Sequence, residues 1–217
     1  GTLEPITELA ALARRHGALF HTDAAQSVGK LPVDVAALGV DLLTLAGHKC
    51  HAPKGVGALF VREGTPLEPI LFGAGHERGL RPGTENVPHI VGFGAAAALA
   101  QRRLPALAER LRGQRDTLYA RLAATIPGLA LNGHPDERLP NTLNVSFPRV
   151  SGRELLARTP EVAASVGSAC HAEGAEVSGV LGAMGLAPER ALGAVRLSIG
   201  EPTRDEDIDR GADALAA

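Results

Sequence analysis

Two residue types stand where chemistry would need them. Asp23, in "HTDAAQ" at 21–26, follows the apolar run "ALF", and Gln26 comes three residues later. Lys49, in "GHKCHAPKG" at 47–55, follows a second apolar run, "DLLTLA". A carboxylate buried at the end of a strand must be paired or hydrogen-bonded. A lysine in such a place is either a solvated cation or a nucleophilic amine. An acid and an amine at neighbouring strand ends are what a protein supplies to pyridoxal phosphate (PLP). The lysine binds the aldehyde as a Schiff base and later moves protons. The acid keeps the pyridine nitrogen protonated, so that the ring accepts electrons from a substrate carbanion. Gln26, one turn beyond Asp23, is placed to reach the ring's phenolic oxygen. Lys54 is the rival amine, but "APKGVG" reads as a Pro/Gly turn pointing away from the strand end.

Three further residues bear on a reaction. Cys170 lies in "SVGSACHAEG", a small, polar, Gly-containing stretch of the kind that exposes a loop. Such a thiol is either a nucleophile or an inert loop cysteine. Cys50, directly after Lys49, reads as packing. Arg196 interrupts the apolar strand "AVRLSIG" and needs an anion, either an internal carboxylate or the carboxylate of a substrate held bidentately.

Composition narrows the class. The chain has 217 residues, of which 45% are hydrophobic, enough for one large domain or two small ones. A net charge of -2, with no basic run or aromatic platform, gives no reason to expect nucleic acid. The apolar stretches are too short for a bilayer span, and no signal peptide opens the sequence. Two cysteines without CxxC spacing fit a reducing cytosol and exclude a cysteine zinc site, and no HExxH pair suggests a metal. The opening "GTLEPITELAALARRHG" is already an amphipathic helical pattern without an initiator Met, as expected inside a larger protein.

The elements that must position these residues read as follows. Thr7 caps a helix running to about Arg15 and ended by Gly17. "ALFHTD", "DLLTLAG" and "GVGALFVR" are buried strands, with "VDVAALG" a helical turn between the first two. Strands alternating with helices predict βαβ units and a parallel sheet, with ligands outside the carboxyl ends of its strands. Residues 64–85 form a long Gly/Pro-rich loop, a length more often functional than idle. A helix from about Val87 to Ala124 follows, kinked or broken at Pro105. "NTLNVSF", "EVAAS" and "AVRLSI" alternate as antiparallel strands, and "GRELLAR" and "DEDIDRGADAL" as helices. The expected fold class is α/β, with residues 1–101 in a PLP-binding domain and 102–217 in a smaller α+β domain.

The stretches "HTDAAQSVGKLPVDV", "GHKCHAPKGVGALFVR", "RPGTENVPHIVGFG", "RLPNTLNVSFP", "SVGSACHAEG" and "VRLSIGEPTRDEDID" together resemble the cysteine desulfurases and selenocysteine lyases. These are class V PLP enzymes of the aminotransferase (type I) fold. The resemblance implies that Lys49 carries the cofactor, Asp23 pairs with the pyridine nitrogen, and Gln26 with the phenolic oxygen. It implies that His48 reaches the cofactor phosphate, and that Thr84, in "RPGTEN", contacts the phosphate bound by the other subunit of a homodimer. Arg196 would hold the substrate α-carboxylate. Cys170 would take sulfur from L-cysteine as a persulfide, releasing alanine, for iron–sulfur cluster or thio-cofactor assembly through a sulfur-acceptor protein. Ala46 stands where many desulfurases have a serine for the phosphate. The loops around Cys170 and Thr84 are more similar to selenocysteine lyases, which makes L-selenocysteine the alternative substrate. The family's N-terminal half, with its ring-stacking histidine, is expected ahead of these stretches. Without it the chain would be an inactive fragment or a non-catalytic scaffold of the same fold.

Overall fold

The computed structural model describes residues 1–167 and 178–217. They divide into two compact units, one of Glu4–Pro105 and one of Gly1–Leu3 with Ala106–Ala217.

In the first unit, helix α1 spans Ile6–Arg15 and enters through Pro5, with no side-chain cap bond. Thr7 therefore lies inside the first turn, not at its cap; the fixed φ of the proline already prepares the chain for a helix. Gly17, at φ 65, ends it. Strand β1 (His21–Asp23) and strand β2 (Leu42–Ala46) pair in parallel, with His21 opposite Leu42 and Asp23 opposite Thr44. Their crossover holds helix α2 (Val35–Leu38). Asp34 Oδ1 accepts the N–H groups of Ala36 and Ala37 at its start, and left-handed Gly39 ends it.

Strand β3 (Gly57–Val61) runs antiparallel to β2, Leu42 facing Val61 and Ala46 facing Gly57. The sheet is therefore mixed, where a fully parallel one was expected. Residues 47–56 are all that separate β2 from β3, too few for a crossover helix. Ala10, Ala24, Val40 and Leu43 are buried together at the centre of this unit, with Phe20, Leu45 and Phe60 packed around them. Helix α3 spans Val87–Thr125 and continues through Pro105, which neither breaks it nor ends it.

The second unit is built on an antiparallel sheet in the order β4 (Ala130–Leu131), β5 (Thr142–Ser146) and β6 (Ala194–Ser198). Helices α4 (Gly152–Arg158), α5 (Gly179–Ala183), α6 (Pro188–Leu192) and α7 (Asp205–Ala216) complete it. "EVAAS" is not a strand; it pairs only at Ser165, in a single bridge to Arg196. Leu143 and Val145 of β5 and Val195 and Leu197 of β6 turn one face of the sheet inward. Leu111, Leu118 and Leu122 of α3 and Ile208, Ala212 and Leu215 of α7, at helical spacing, cover that face. Leu122 is 0% exposed. Leu122→Ala is expected to cost about 2–5 kcal/mol, measured by chemical denaturation, because the surrounding core closes only part of the cavity.

Candidate active site

Parallel pairing brings the two chemically suggestive stretches to one end of the first sheet. Asp23 is the last residue of β1. Opposite it, β2 runs two residues past Thr44 to Ala46, then tightens into a 3-10 turn, Gly47–Cys50, that carries His48 and Lys49. Both groups thus sit at the carboxyl ends of neighbouring parallel strands, where α/β sheets bind ligands. Asp23 is exposed in this chain, not buried as expected. Its Oδ1 accepts the N–H of Ala25 at 2.8 Å, which orients the carboxylate, while the N–H of Ala24 donates to Thr44 O at 3.0 Å. His21 Nε2 lies 2.7 Å from Thr44 Oγ1. Gln26 is exposed in the turn that follows.

The turn that carries Lys49 is fixed from within. Gly47 is buried, and a Cβ there would lie 2.8 Å from Val56 O, so only glycine fits. Its N–H donates to Val56 O at 3.0 Å. Its carbonyl accepts the N–H of Ala52 at 3.1 Å and the Cys50 thiol at 3.3 Å. Buried Cys50 therefore packs the inside of the turn, while His48 and Lys49 are exposed. Lys54 is also exposed, beyond this turn on the way into β3.

Lys30 escaped the sequence reading. Its Nζ donates to the carbonyl of Lys49 at 3.4 Å. Burial pushes its ammonium below the ordinary lysine range, with the Lys49 charge adding to the effect and Cys50 opposing it. No spacing in the sequence links positions 30 and 49; the fold alone does. Thr84 is exposed just before α3, and its hydroxyl makes no hydrogen bond among the described residues. Asn86 caps that helix, its Oδ1 accepting the N–H of His89 at 3.4 Å.

Arg196 belongs to the second unit. It lies on the sheet face away from the core, in register with Asn144, between fully buried Val195 and nearly buried Leu197. Its backbone pairs with Ser165 through bonds of 2.7 and 3.2 Å. Its Nε is buried with no hydrogen-bond partner, and no carboxylate pairs with it among the described residues. Among the described residues, then, no internal carboxylate answers the need of Arg196 for an anion. Cys170 lies outside the described residues.

The family model for aminotransferase class-V matches residues 1–210. The chain is 46% identical, over 99% of its own length and 54% of the relative's, to a protein named cysteine desulfurase from Gluconacetobacter diazotrophicus. It superimposes with a TM-score of 0.89 on a NifS-like protein from Rickettsia africae, at 29% identity, covering 99% of this chain and 57% of that one. It also superimposes with a TM-score of 0.72 on SspA in complex with cysteine, at 36% identity over 92% of this chain and 55% of that one. The chain spans about half the length of the curated relatives it matches. Its α/β fold is the type I PLP fold of the NifS-like proteins. By sequence across nearly its whole length, and by fold, the chain belongs to the aminotransferase class-V family.

Proposed function

We propose that a protein carrying this chain is a PLP-dependent cysteine desulfurase that converts L-cysteine to L-alanine and retains the sulfur as a persulfide on Cys170. The observation that carries this reading is that Asp23 and the turn bearing Lys49 lie at the carboxyl ends of the paired strands β1 and β2. The names of the relatives favour cysteine over selenocysteine. In this reading Glu4–Pro105 is the later part of the large cofactor domain, and Ala106–Ala217 the main part of the small domain.

The residues present fit PLP. Lys49 offers an exposed amine on a rigid turn, and Asp23 has Oδ2 unengaged after Ala25 has taken Oδ1. Among the described residues the Thr84 hydroxyl makes no hydrogen bond, and the Arg196 Nε is a buried donor without a partner. Bound PLP supplies an electron sink for a carbanion at the substrate α-carbon.

The chain's own residues then divide the work. Asp23 holds a proton on the ring nitrogen, and Gln26 donates to the phenolic oxygen. His48 and Thr84 hold phosphate oxygens, Thr84 those of a second subunit in a homodimer. Arg196 fixes the substrate carboxylate with parallel N–H bonds. Lys49, which would hold the cofactor, would also remove the Cα proton of the bound substrate with its amine. The Cys170 thiolate attacks the substrate sulfur, so an S–S bond forms as the Cβ–S bond breaks. Cβ takes the electron pair and then a proton, which makes the methyl group, and Lys49 would return a proton to Cα, which restores the Cα–H bond of alanine. The persulfide passes to a sulfur-acceptor protein, a step suited to the reducing cytosol.

The test is alanine release and persulfide labelling from L-cysteine, in a full-length protein carrying this chain. Cys170→Ser is expected to lower alanine release from cysteine at least about 100-fold, as loss of a covalent nucleophile does. Full activity of Cys170→Ser on selenocysteine would instead support the lyase reading, in which release of selenium from Cβ does not depend on the Cys170 thiol.

A further inference from the structure

Between β3 and α3 the chain builds a closed loop that its Gly/Pro-rich sequence does not reveal. Its two ends meet, since a Cβ on Gly73 would lie 2.9 Å from the Cβ of Pro82. Inside it, Glu77 and Arg78 adopt positive φ angles of 47 and 59. Residues with a Cβ rarely adopt this region, and it persists only where the surroundings hold it.

His76 is what holds it. It is half-buried, while Gly75, Glu77, Arg78 and Gly79 around it are exposed. Its N–H donates to Ala74 O at 2.9 Å, and its carbonyl accepts the N–H of Gly79, also at 2.9 Å. Its ring Nδ1 accepts the N–H of Gly83 at 3.3 Å. One side chain thus ties the start of the loop to its end. Gly83 has φ 109, a conformation only glycine takes readily, and the next residue is Thr84.

We propose that His76 is a positioning residue for cofactor binding: by accepting the Gly83 N–H it sets the backbone from which Thr84 presents its hydroxyl to the cofactor phosphate. This inference rests on the reading of Thr84 as a phosphate ligand. Asparagine at position 76 keeps an acceptor near the same place, whereas alanine and leucine have none.

The test uses a full-length protein carrying this chain, with His76→Ala, His76→Asn, Thr84→Val and the double variant His76→Ala/Thr84→Val. PLP is titrated into each apo form, and the rate of tryptic cleavage after Arg78, whose bond to Gly79 lies inside the loop, is followed in parallel. His76→Ala is expected to raise the Kd for PLP about five- to tenfold, as the loss of one hydrogen bond does, and to speed cleavage. His76→Asn recovers most of both. The double variant binds PLP no more weakly than Thr84→Val, because His76 acts through Thr84. His76→Leu keeps the bulk without the acceptor and takes the place of His76→Ala should the latter not fold. If Thr84→Val weakens PLP while His76→Ala leaves the Kd unchanged, or if the two losses simply add, the positioning role is overturned and the reading of Thr84 stands. If Thr84→Val leaves the Kd unchanged, the reading of Thr84 falls and the proposal with it.

Discussion

Lys49→Ala is expected to lower the conversion of cysteine to alanine by a factor on the order of 10^4, with the fold intact. The size follows from the double duty of one amine, which holds the cofactor covalently and moves the Cα proton; proton transfer alone contributes about 10^2- to 10^4-fold. The fold should survive because the turn is held by Gly47, Cys50 and Ala52, and by backbone atoms of Lys49, not by its side chain. The bond from Lys30 goes to the Lys49 carbonyl, which alanine keeps. Steady-state alanine release, with circular dichroism as the check on folding, measures both halves of the expectation. Lys54→Ala is the control, and it should stay within about twofold of the parent because its exposed side chain lies outside the turn.

Arg196→Leu should raise the KM for cysteine by about 100-fold or more, the scale of losing a charged, hydrogen-bonded partner of a carboxylate. The same change should leave the melting temperature unchanged or raise it. Among the described residues the Arg196 Nε is buried without a hydrogen-bond partner, and removing an unsatisfied buried donor removes a cost. A purely structural arginine would behave in the opposite way, with a lower melting temperature and an unchanged KM. Arg196→Lys should recover only part of the loss, since an ammonium cannot make the paired, planar contact of a guanidinium.

The strand ends that carry the candidate site were legible in the sequence because their signals are local. An apolar run ending in an acid, and another ending in Gly-His-Lys, mark strand ends without any knowledge of the fold. The antiparallel course of β3 was the harder matter. Its apolar residues look the same in either direction, and only the short 47–56 connection decides. Asp23 was expected to be buried because its flanking residues are apolar, yet it is exposed at the end of a three-residue strand. Lys30 and His76 were invisible for a different reason. Each acts on a distant backbone atom, at Lys49 and Gly83, and such pairings leave no periodicity in a single sequence. The expected strand "EVAAS" shows the opposite failure, a good alternating pattern that finds a partner at one residue only.

The most direct test of the central claim is to add PLP, reduce with borohydride and map the modified peptide by mass spectrometry, on this chain and on a full-length protein carrying it. A reduced PLP adduct on Lys49 is the expected result in the full-length protein. An adduct on Lys54, or none at all, would contradict it.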